Sequence, residues 1–478
     1  MSSPLAALEA QVSADLAKTA HPNSAWLHAK PGPDGKPALD VLVIGAGQSG
    51  IAIGFGLMRS QVTNILVLDK AEEGFEGPWL TYARMPTLRS PKHYTGPDLD
   101  IPSLTYQSWH EARFGSEDWQ NLDLIPRHLW AEYLRWFRRT IELPVRNGCE
   151  LLEIAPDAGG LLAAVVRSAG GVETLYTRKI VLATGQEGMG KWTIPEPLRH
   201  LPPKFVASAA DKIDFEAVRG KQVAVIGAGA SAFDNAATAL EAGASKVHLL
   251  CRRAEIQLIQ PYRWLTFRGF LRHLSDLDDA WRWRFMRAIL EMREGFPQAT
   301  YDRCARRANF FLHEGAPIEA AREVGSKVEL HTPRGNFTAD FIICGTGIDM
   351  DFAGRRELHR FASNIATWAD RYQPPESERS ARLGRFPYLA DDYAFVERVP
   401  GEAPWISNIH LFAIASTMSF GPSGSSINAM TTAVPKLVHG LTRGLFRADI
   451  EQHWAAFNAY DVPQAVVTRQ AEIAGKVG

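Results

Sequence analysis

Cysteine is scarce in this sequence, and its spacing excludes two kinds of site. The four cysteines are scattered along 478 residues, at Cys149, Cys251, Cys304 and Cys344. A CxxC pair would be typical of a redox-active disulfide, and paired cysteines or histidines would be typical of structural zinc. The sequence therefore predicts neither a redox disulfide nor a metal site.

Long apolar runs and a strong net charge are also missing. No segment approaches the roughly 20 apolar residues of a membrane-spanning helix, and the N-terminus lacks the basic and apolar regions of a signal peptide. The formal net charge is −1, which gives no support for a nucleic-acid partner. We expect a cytoplasmic protein with no membrane or nucleic-acid partner, beginning with a helical arm over residues 1–40.

A glycine motif with its full structural context is present near the N-terminus. The apolar run 41–44 leads into Gly45-Ala-Gly47-Gln-Ser-Gly50, a helical stretch over 51–59, a second apolar run over 65–68 and then Asp69. This order is typical of a dinucleotide site, in which glycines permit the turn and the approach of a pyrophosphate, and the acid binds ribose hydroxyls. The motif fits FAD or NAD through Gly45, Gly47, Gln48, Ser49, Gly50, Asp69 and Lys70.

The same pattern recurs about 180 residues later with one informative change. An apolar run over 221–226 leads into a second glycine motif, a helix ending at Gly243 and a strand over 246–250. Asp69 follows Gly45 by 24 residues. The residue 24 positions after Gly227 is Cys251, and two arginines follow it. Guanidinium groups there favour binding of the 2′-phosphate of NADPH. The alternative is that the two arginines are solvated side chains at the end of a strand. The predicted contacts are Gly227, Gly229, Ser231, Ala232, Arg252 and Arg253.

Two dinucleotide sites on one chain predict an enzyme that passes a hydride from nicotinamide to a second carrier, and flavin is the natural acceptor. We expect an α/β fold with two Rossmann-like domains. The FAD domain would span 41–187 and 341–478. The NADPH domain would span 188–340 and carry an aromatic, helical insert over 257–311.

From about residue 40 to 350 the chain resembles the flavin-containing and Baeyer–Villiger monooxygenases, which are class B flavoprotein monooxygenases. Glu76-Gly-Pro-Trp79, followed by Arg84 and Arg89, is similar to the family segment that runs along the flavin. Two further segments, 180–185 and 343–347, resemble the family's crossings between domains, where small residues let the backbone pass close to a cofactor. The resemblance implies cofactor contacts at Trp79, Arg84, Arg89, Thr184, Gly185, Gly345, Thr346 and Gly347.

One of the departures of the sequence from this family bears on its function. The histidine that the family carries just before its second glycine motif corresponds here to Ala207. This departure leaves three functions open. The first is an NADPH-consuming monooxygenase that transfers one oxygen atom from O2 to an amine, sulfide or ketone through a C4a-(hydro)peroxyflavin. The others are a flavin reductase or oxidase, and a nucleotide-binding redox sensor.

In the monooxygenase reaction the flavin supplies the chemistry, so the sequence shows no catalytic dyad. Lys92 and Asn428 are the candidates for polar partners of the flavin. A helix over 429–441, capped by Ser425 or Ser426, would point its N-terminus at the flavin. The partners would be O2 and a small-molecule substrate whose identity the sequence does not give. The oligomeric state is left open, with a homodimer among the alternatives.

Overall fold

The computed structural model describes residues 3–424 and 426–467. Its strands are β1 (Leu39–Ile44), β2 (Ile65–Leu68), β3 (Val145–Arg146), β4 (Glu150–Pro156), β5 (Leu162–Ser168), β6 (Gly171–Gly185), β7 (Gly190–Trp192), β8 (Val206–Ser208), β9 (Gln222–Ile226), β10 (Lys246–Leu250), β11 (Phe310–His313), β12 (Ala320–Val324), β13 (Lys327–Thr332), β14 (Gly335–Ala339), β15 (Phe341–Cys344), β16 (Ile348–Met350) and β17 (Ile409–Ala413).

The α-helices alternate with these strands in the first third of the chain and dominate its end. They are α1 (Pro4–Lys18), α2 (Gln48–Arg59), α3 (Tyr106–Phe114), α4 (Ser116–Asn121), α5 (Arg127–Thr140), α6 (Ala230–Glu241), α7 (Pro261–Leu265), α8 (Arg268–His273), α9 (Asp279–Met292), α10 (Gln298–Ala305), α11 (Trp368–Arg371), α12 (Ala381–Gly384), α13 (Thr417–Phe420), α14 (Met430–Ala448) and α15 (Ile450–Asn458). The fold is α/β, as predicted.

The larger sheet is built around β1 and β6. Its strands follow the order β3-β2-β1-β6-β5-β4, and β17 pairs with the C-terminal part of β6. β1 runs parallel to β2 and β6, so that Ile44 lies opposite Leu68 and Leu182. The apolar run of β1 is buried throughout, because a central parallel strand is covered on both faces.

The smaller sheet repeats this arrangement. Its strands follow the order β11-β10-β9-β15-β8. The central strand β9 runs parallel to β10 and β15, so that Ile226 lies opposite Leu250 and Cys344. Each glycine motif therefore follows a central strand whose two neighbours end at the same edge of the sheet. Helices α2 and α6 begin directly after these turns.

The chain passes between the two sheets through a pair of short strands. β7 leads into the smaller sheet, β16 leads out of it, and the two pair in antiparallel fashion, with Ile348 opposite Trp192. The predicted boundary at residue 340 was wrong, because β15 pairs with β9 and belongs to the smaller sheet. The return crossing lies at 345–350, after β15 has ended.

The predicted insert over 257–311 is helical, with α7 to α10 between β10 and β11. Trp283 is buried beside Trp368, with ring centroids 6.0 Å apart, whereas Trp264 and Trp281 are exposed. The insert also contacts α14 through the ion pair of Lys436 and Asp276 at 2.7 Å. One part of the insert is therefore core, and its other face lies on the surface.

At the N-terminus, α1 packs on the helices of the larger sheet. Val12 is completely buried, and the Trp136 indole N–H donates to Glu9 Oε1 at 3.1 Å. Across the described chain, helices that combine the length and the apolar character needed to cross a bilayer are not found.

Candidate functional site

The two glycine turns have the same geometry. Gly45 has φ 106° and Gly227 has φ 119°, values that side-chain-bearing residues rarely adopt. A Cβ atom at Gly45 would lie 2.4 Å from the carbonyl oxygen of Ala183, and one at Gly227 would lie 2.5 Å from that of Gly345. Both positions thus require glycine, because the neighbouring strand ends directly against the turn.

The first turns of helices α2 and α6 offer unpaired backbone amides. Gly47 and Gly229 are the N-cap residues, and neither helix start receives a capping side chain. A Cβ atom at Gly229 would meet no atom within 4 Å, since the residue faces open space. Free amides and the positive end of the helix dipole at such a start bind phosphate groups.

Both helix starts open onto one cavity of about 1430 Å³. Most of the residues selected from the sequence line it, from both motifs and both crossings. They are Gly45, Gly47, Gln48, Ser49, Asp69, Lys70, Trp79, Arg84, Arg89, Thr184, Gly185, Gly227, Gly229, Ser231, Arg252, Arg253, Gly345, Thr346 and Gly347.

Gly50 and Ala232, which were also selected from the sequence, do not line the cavity and serve the packing of the helix. A Cβ atom at Gly50 would lie 1.7 Å from the Gly45 carbonyl oxygen. Ala232 is completely buried, and a Cβ atom at Gly345 would lie 2.8 Å from the Ala232 methyl group. Both residues therefore act on the site indirectly, by letting the helix approach the strand.

Asp69 stands at the end of β2, where a ribose would be bound. Its carboxylate accepts hydrogen bonds from the amides of Ala46 at 2.7 Å and Ala71 at 2.8 Å. Burial raises the pKa of Asp69 above its ordinary value, against the lowering effect of those two amides. The next residue, Lys70, forms an ion pair of 3.1 Å with Glu187, which also lines the cavity.

The two arginines after β10 differ in their contacts. Arg253 donates to the carbonyl oxygens of Glu291 at 2.8 Å and Met292 at 3.0 Å, and so it caps the C-terminus of α9. The Arg252 side chain is exposed and has no hydrogen-bond or ion-pair partner within residues 3–424 and 426–467. Arg253 is thus partly engaged, and that both arginines bind the phosphate stays a prediction.

The segment after Trp79 reaches both motifs. Trp79 is only 8% exposed, and its indole nitrogen has no hydrogen-bond partner among the described residues. Arg84 donates to the carbonyl oxygens of Thr81 at 2.7 Å and Asp211 at 3.3 Å. Arg89 forms a 2.7 Å ion pair with Asp234 of α6. This pair joins the segment that follows the first motif to the helix of the second.

The charged residues of the cavity wall that the sequence analysis did not select include Asp234, Arg293, Glu294 and Arg382. Burial, together with the charges of Arg382, Arg252 and Arg253, lowers the pKa of Arg293 to about 10. The sequence did contain a signal for Asp234, since this carboxylate stands among the small apolar residues of α6. The other three come from the insert and from α12, whose approach to the cavity depends on tertiary packing.

The two weakest candidates lie elsewhere. Lys92 does not line the cavity, because its ammonium group donates to the carbonyl oxygens of Trp119 at 2.6 Å and Leu122 at 2.5 Å at the end of α4. Asn428 also lies off the cavity wall, with its Oδ1 buried and unpaired among the described residues. The structure thus supports neither as a polar partner of the flavin.

Of the two residues predicted to cap the C-terminal helix, the structure tests only Ser426. Ser425 lies outside the described residues. The side chain of Ser426 makes no capping hydrogen bond, and α14 begins at Met430 after a short 3-10 turn. That this helix end acts on a flavin stays a prediction.

The cavity fits two dinucleotides by its chemistry and its size. Each glycine turn supplies a site for phosphate groups. The carboxylate of Asp69 lies beyond the first turn, and the guanidinium group of Arg252 lies beyond the second. Pockets for one ligand usually measure roughly 300–1,000 Å³, less than the volume found here. The four cysteines are buried and free, so the structure pairs none of them as a disulfide.

Comparisons with known proteins agree with this geometry. Residues 42–267 match the family model described as pyridine nucleotide-disulphide oxidoreductase. The chain is 37% identical over 463 residues to the FAD-dependent urate hydroxylase of Xanthomonas campestris pv. campestris, covering 97% of each chain.

Solved structures show the same fold at low sequence identity. The ornithine N-hydroxylase of Kutzneria sp. 744 superposes with a TM-score of 0.66 at 16% identity, over 85% of this chain and 100% of that one. The flavin-containing monooxygenase of Stenotrophomonas maltophilia superposes with a TM-score of 0.56 at 18% identity, over 85% of this chain and 99% of that one.

Proposed function

The chain belongs to the flavin-dependent monooxygenases with two dinucleotide-binding motifs, the family of its 37% identical relative, and from this premise we propose that it is an FAD-dependent, NADPH-consuming urate hydroxylase. The enzyme class follows from the family. The substrate and the electron donor are the proposed parts. The reaction would use O2 and place one of its oxygen atoms on the purine.

The observation that carries the proposal is the shared cavity. Two glycine turns of matching geometry, Gly45 and Gly227, open onto the same space of about 1430 Å³. A hydride can pass directly between two cofactors only when their reactive rings meet. One cavity with two phosphate cradles allows that meeting, whereas a sensor would need only one site.

The first site would hold FAD through the amides of Gly47 and Gln48 and through the Asp69 carboxylate. When bound and reduced, the flavin supplies the chemistry of oxygen activation. Two amides fix the Asp69 carboxylate in place, so its remaining lone pairs are oriented before the ribose arrives. Such preorganisation lowers the entropic cost of binding.

The second site would hold NADPH through the start of α6 and through Arg252. The unengaged guanidinium of Arg252 at the end of β10 is the group available to a 2′-phosphate. The Arg89–Asp234 ion pair would keep the two cofactor sites in register, because it ties the two motifs together across the cavity.

Urate is the proposed substrate because the full-length relative carries that activity in its name and the resemblance covers 97% of both chains. Specificity resides in a site rather than in a fold, so the low-identity monooxygenases that share the fold do not bear on the substrate. The amine, sulfide and ketone substrates expected from the sequence are the alternatives that a substrate comparison would test.

The decisive experiment uses the purified holoenzyme. We expect urate-dependent oxidation of NADPH and loss of urate in a ratio of one to one. The oxidation of NADPH is measured by absorbance, and the loss of urate is measured by chromatography. The same enzyme, reduced anaerobically by NADPH and mixed with oxygenated buffer in a stopped-flow instrument, should show a transient spectrum distinct from oxidised and reduced flavin.

A different result would refute the proposal. If NADPH is oxidised, urate is untouched and peroxide forms in equal amount, the protein is a reductase or oxidase, in agreement with the alanine at position 207. If urate is consumed but NADH serves better than NADPH, the substrate proposal holds and the donor proposal fails.

A further inference from the structure

A short turn after helix α9 holds one carboxylate toward the cavity. Arg293 ends the helix with φ 69° and ψ 172°, a backbone region that is almost exclusive to glycine. Gly295 is held on the other side, where its amide donates to the Ile259 carbonyl oxygen at 3.0 Å. Between them, Glu294 lies in the cavity wall. Strained residues of this kind cluster at binding and active sites.

The Glu294 side chain is accessible from the cavity. It is exposed, and it lines the cavity onto which both glycine motifs open. In the described part of the chain it forms no ion pair within 4.0 Å. A carboxylate that lines a cavity and has no ion-pair partner is available to accept hydrogen bonds from a ligand.

The surroundings of Glu294 are defined by a few groups. Burial raises its pKa, while the charge of Arg89, the nearby Gln260 amide and the charge of Arg293 act in the opposite direction. Tyr262, a further titratable group close by, has its own pKa raised by burial and by the charge of Glu294. The carboxylate is therefore close to two cations without being paired to either.

Glu294 lines the same cavity as both glycine motifs. The nearby Arg89 is bonded to Asp234, and this pair joins the segment after Trp79 to helix α6. Ile289 and Leu290, which precede Glu294 on α9, line the same cavity. A few polar groups among apolar side chains are the usual device for orienting a small ligand.

We propose that Glu294 is a substrate-binding residue that accepts hydrogen bonds from the ring N–H groups of a planar heterocycle. The inference rests on the proposed function, since urate presents several ring N–H groups along its edges. A carboxylate has two oxygens and can accept from two adjacent donors at once. It would thereby orient the ring within the cavity before oxygen transfer.

The test compares Glu294→Gln with Glu291→Gln, a matched change one turn earlier on α9. Glu291 pairs with Arg287 at 3.1 Å, so its replacement leaves the proposed contact intact. Removing a hydrogen bond to a charged group should raise the KM for urate of Glu294→Gln by about 10- to 100-fold. The KM for NADPH and the anaerobic rate of flavin reduction should stay within about twofold of wild type.

The pH profile gives an independent readout. If ionised Glu294 accepts the hydrogen bonds, kcat/KM for urate in the wild type should fall at acid pH with a limb that Glu294→Gln lacks. The profile of Glu291→Gln should match that of the wild type. Since Arg89, Arg293 and Tyr262 are present in every variant, the difference isolates Glu294.

The outcomes separate the two proposals. A wild-type enzyme that oxidises NADPH but leaves urate unchanged refutes the proposed function and the inference that rests on it. A wild-type enzyme that hydroxylates urate, with a Glu294→Gln variant of unchanged urate KM, refutes the inference alone. An increase in the KM for NADPH in place of that for urate would assign Glu294 to the nicotinamide and overturn the proposal.

Discussion

Arg252 and Arg253 are adjacent in the sequence, but their guanidinium groups face different partners. The partners of Arg253 are carbonyl groups of α9, 38 and 39 residues further along the chain. The sequence pattern of two arginines after a strand predicts phosphate binding for both, because a local pattern contains no information about α9. Only the packed structure shows that Arg252 alone is unengaged.

Replacing Arg252 with alanine should weaken NADPH binding selectively. A charge-assisted hydrogen bond contributes about 1.5–3 kcal/mol, so the KM for NADPH should rise about 10- to 100-fold while that for NADH changes little. Steady-state kinetics with both donors measures this. Arg253→Ala is the matched variant, and it should lower thermal stability by loosening the end of α9. If Arg253→Ala, and not Arg252→Ala, loses the preference for NADPH, our assignment is wrong.

At the scale of elements, segments with a local signal were predicted well. The observed bounds of β2 and β10 are the predicted ones, since each is a short apolar run between turn signals. Helix α14 instead extends seven residues beyond the predicted end at 441. Gly440 and Gly444 suggest an end there, but a Cβ at these positions would lie 2.2 Å from Asp392 and 2.8 Å from Lys179. These glycines serve close packing, which sequence patterns do not reveal.

A buried ion cluster joins this helix to the larger sheet. Arg178 of β6 donates to Asp449, between α14 and α15, at 2.7 and 2.9 Å, and it lies 3.2 Å from Asp40 of β1. All three side chains are at most 8% exposed. Arg178 therefore ties the C-terminal helices to the strand that precedes the first glycine turn.

Breaking this cluster should destabilise the protein strongly. Asp449→Asn leaves Arg178 without its main counter-charge, and losing one partner of a buried ion pair costs about 3–5 kcal/mol. Urea unfolding followed by circular dichroism measures the loss. Glu323→Gln, which breaks the exposed ion pair with Lys204, is the control and should cost less than about 1 kcal/mol. Equal effects of the two changes would contradict the role given to the cluster.

At the scale of the whole molecule, the sequence was sufficient to predict two nucleotide-binding units, because each motif carries its own strand, turn and helix. The sequence did not predict that helices α9 and α12 complete the cavity that lies between these two units. Arg382 of α12 donates to the Leu290 carbonyl oxygen at 3.2 Å, a contact that spans 92 residues. The side of the cavity formed by α9 and α12 thus depends on non-local packing, while the two glycine motifs are encoded locally.

Two histidines in different sheets make the stability of the whole fold depend on pH. Burial and the charge of Lys179 lower the pKa of His410 on β17 to about 4, against the raising effect of Asp392. Burial, with His313 and Lys246, lowers the pKa of His248 on β10 to about 4. Each histidine has an ordinary pKa of 6.5, so the unfolded chain binds more protons between these values. Both contributions to stability are therefore lost as the pH falls from 6.5 toward 4.

For His410, which is completely buried, this loss amounts to about 2 kcal/mol between about pH 7 and about pH 5. His410→Asn keeps a donor for the Asp392 carbonyl oxygen, which lies 2.8 Å from Nδ1, but removes the titrating ring. We expect its free energy of unfolding to fall less than that of the wild type over this range.

The exposed His439, changed to asparagine, is the control and should follow the wild type. His248→Gln provides a second test in the other sheet. Identical pH dependence in the wild type and both buried-site variants would show that neither histidine is held neutral by the fold.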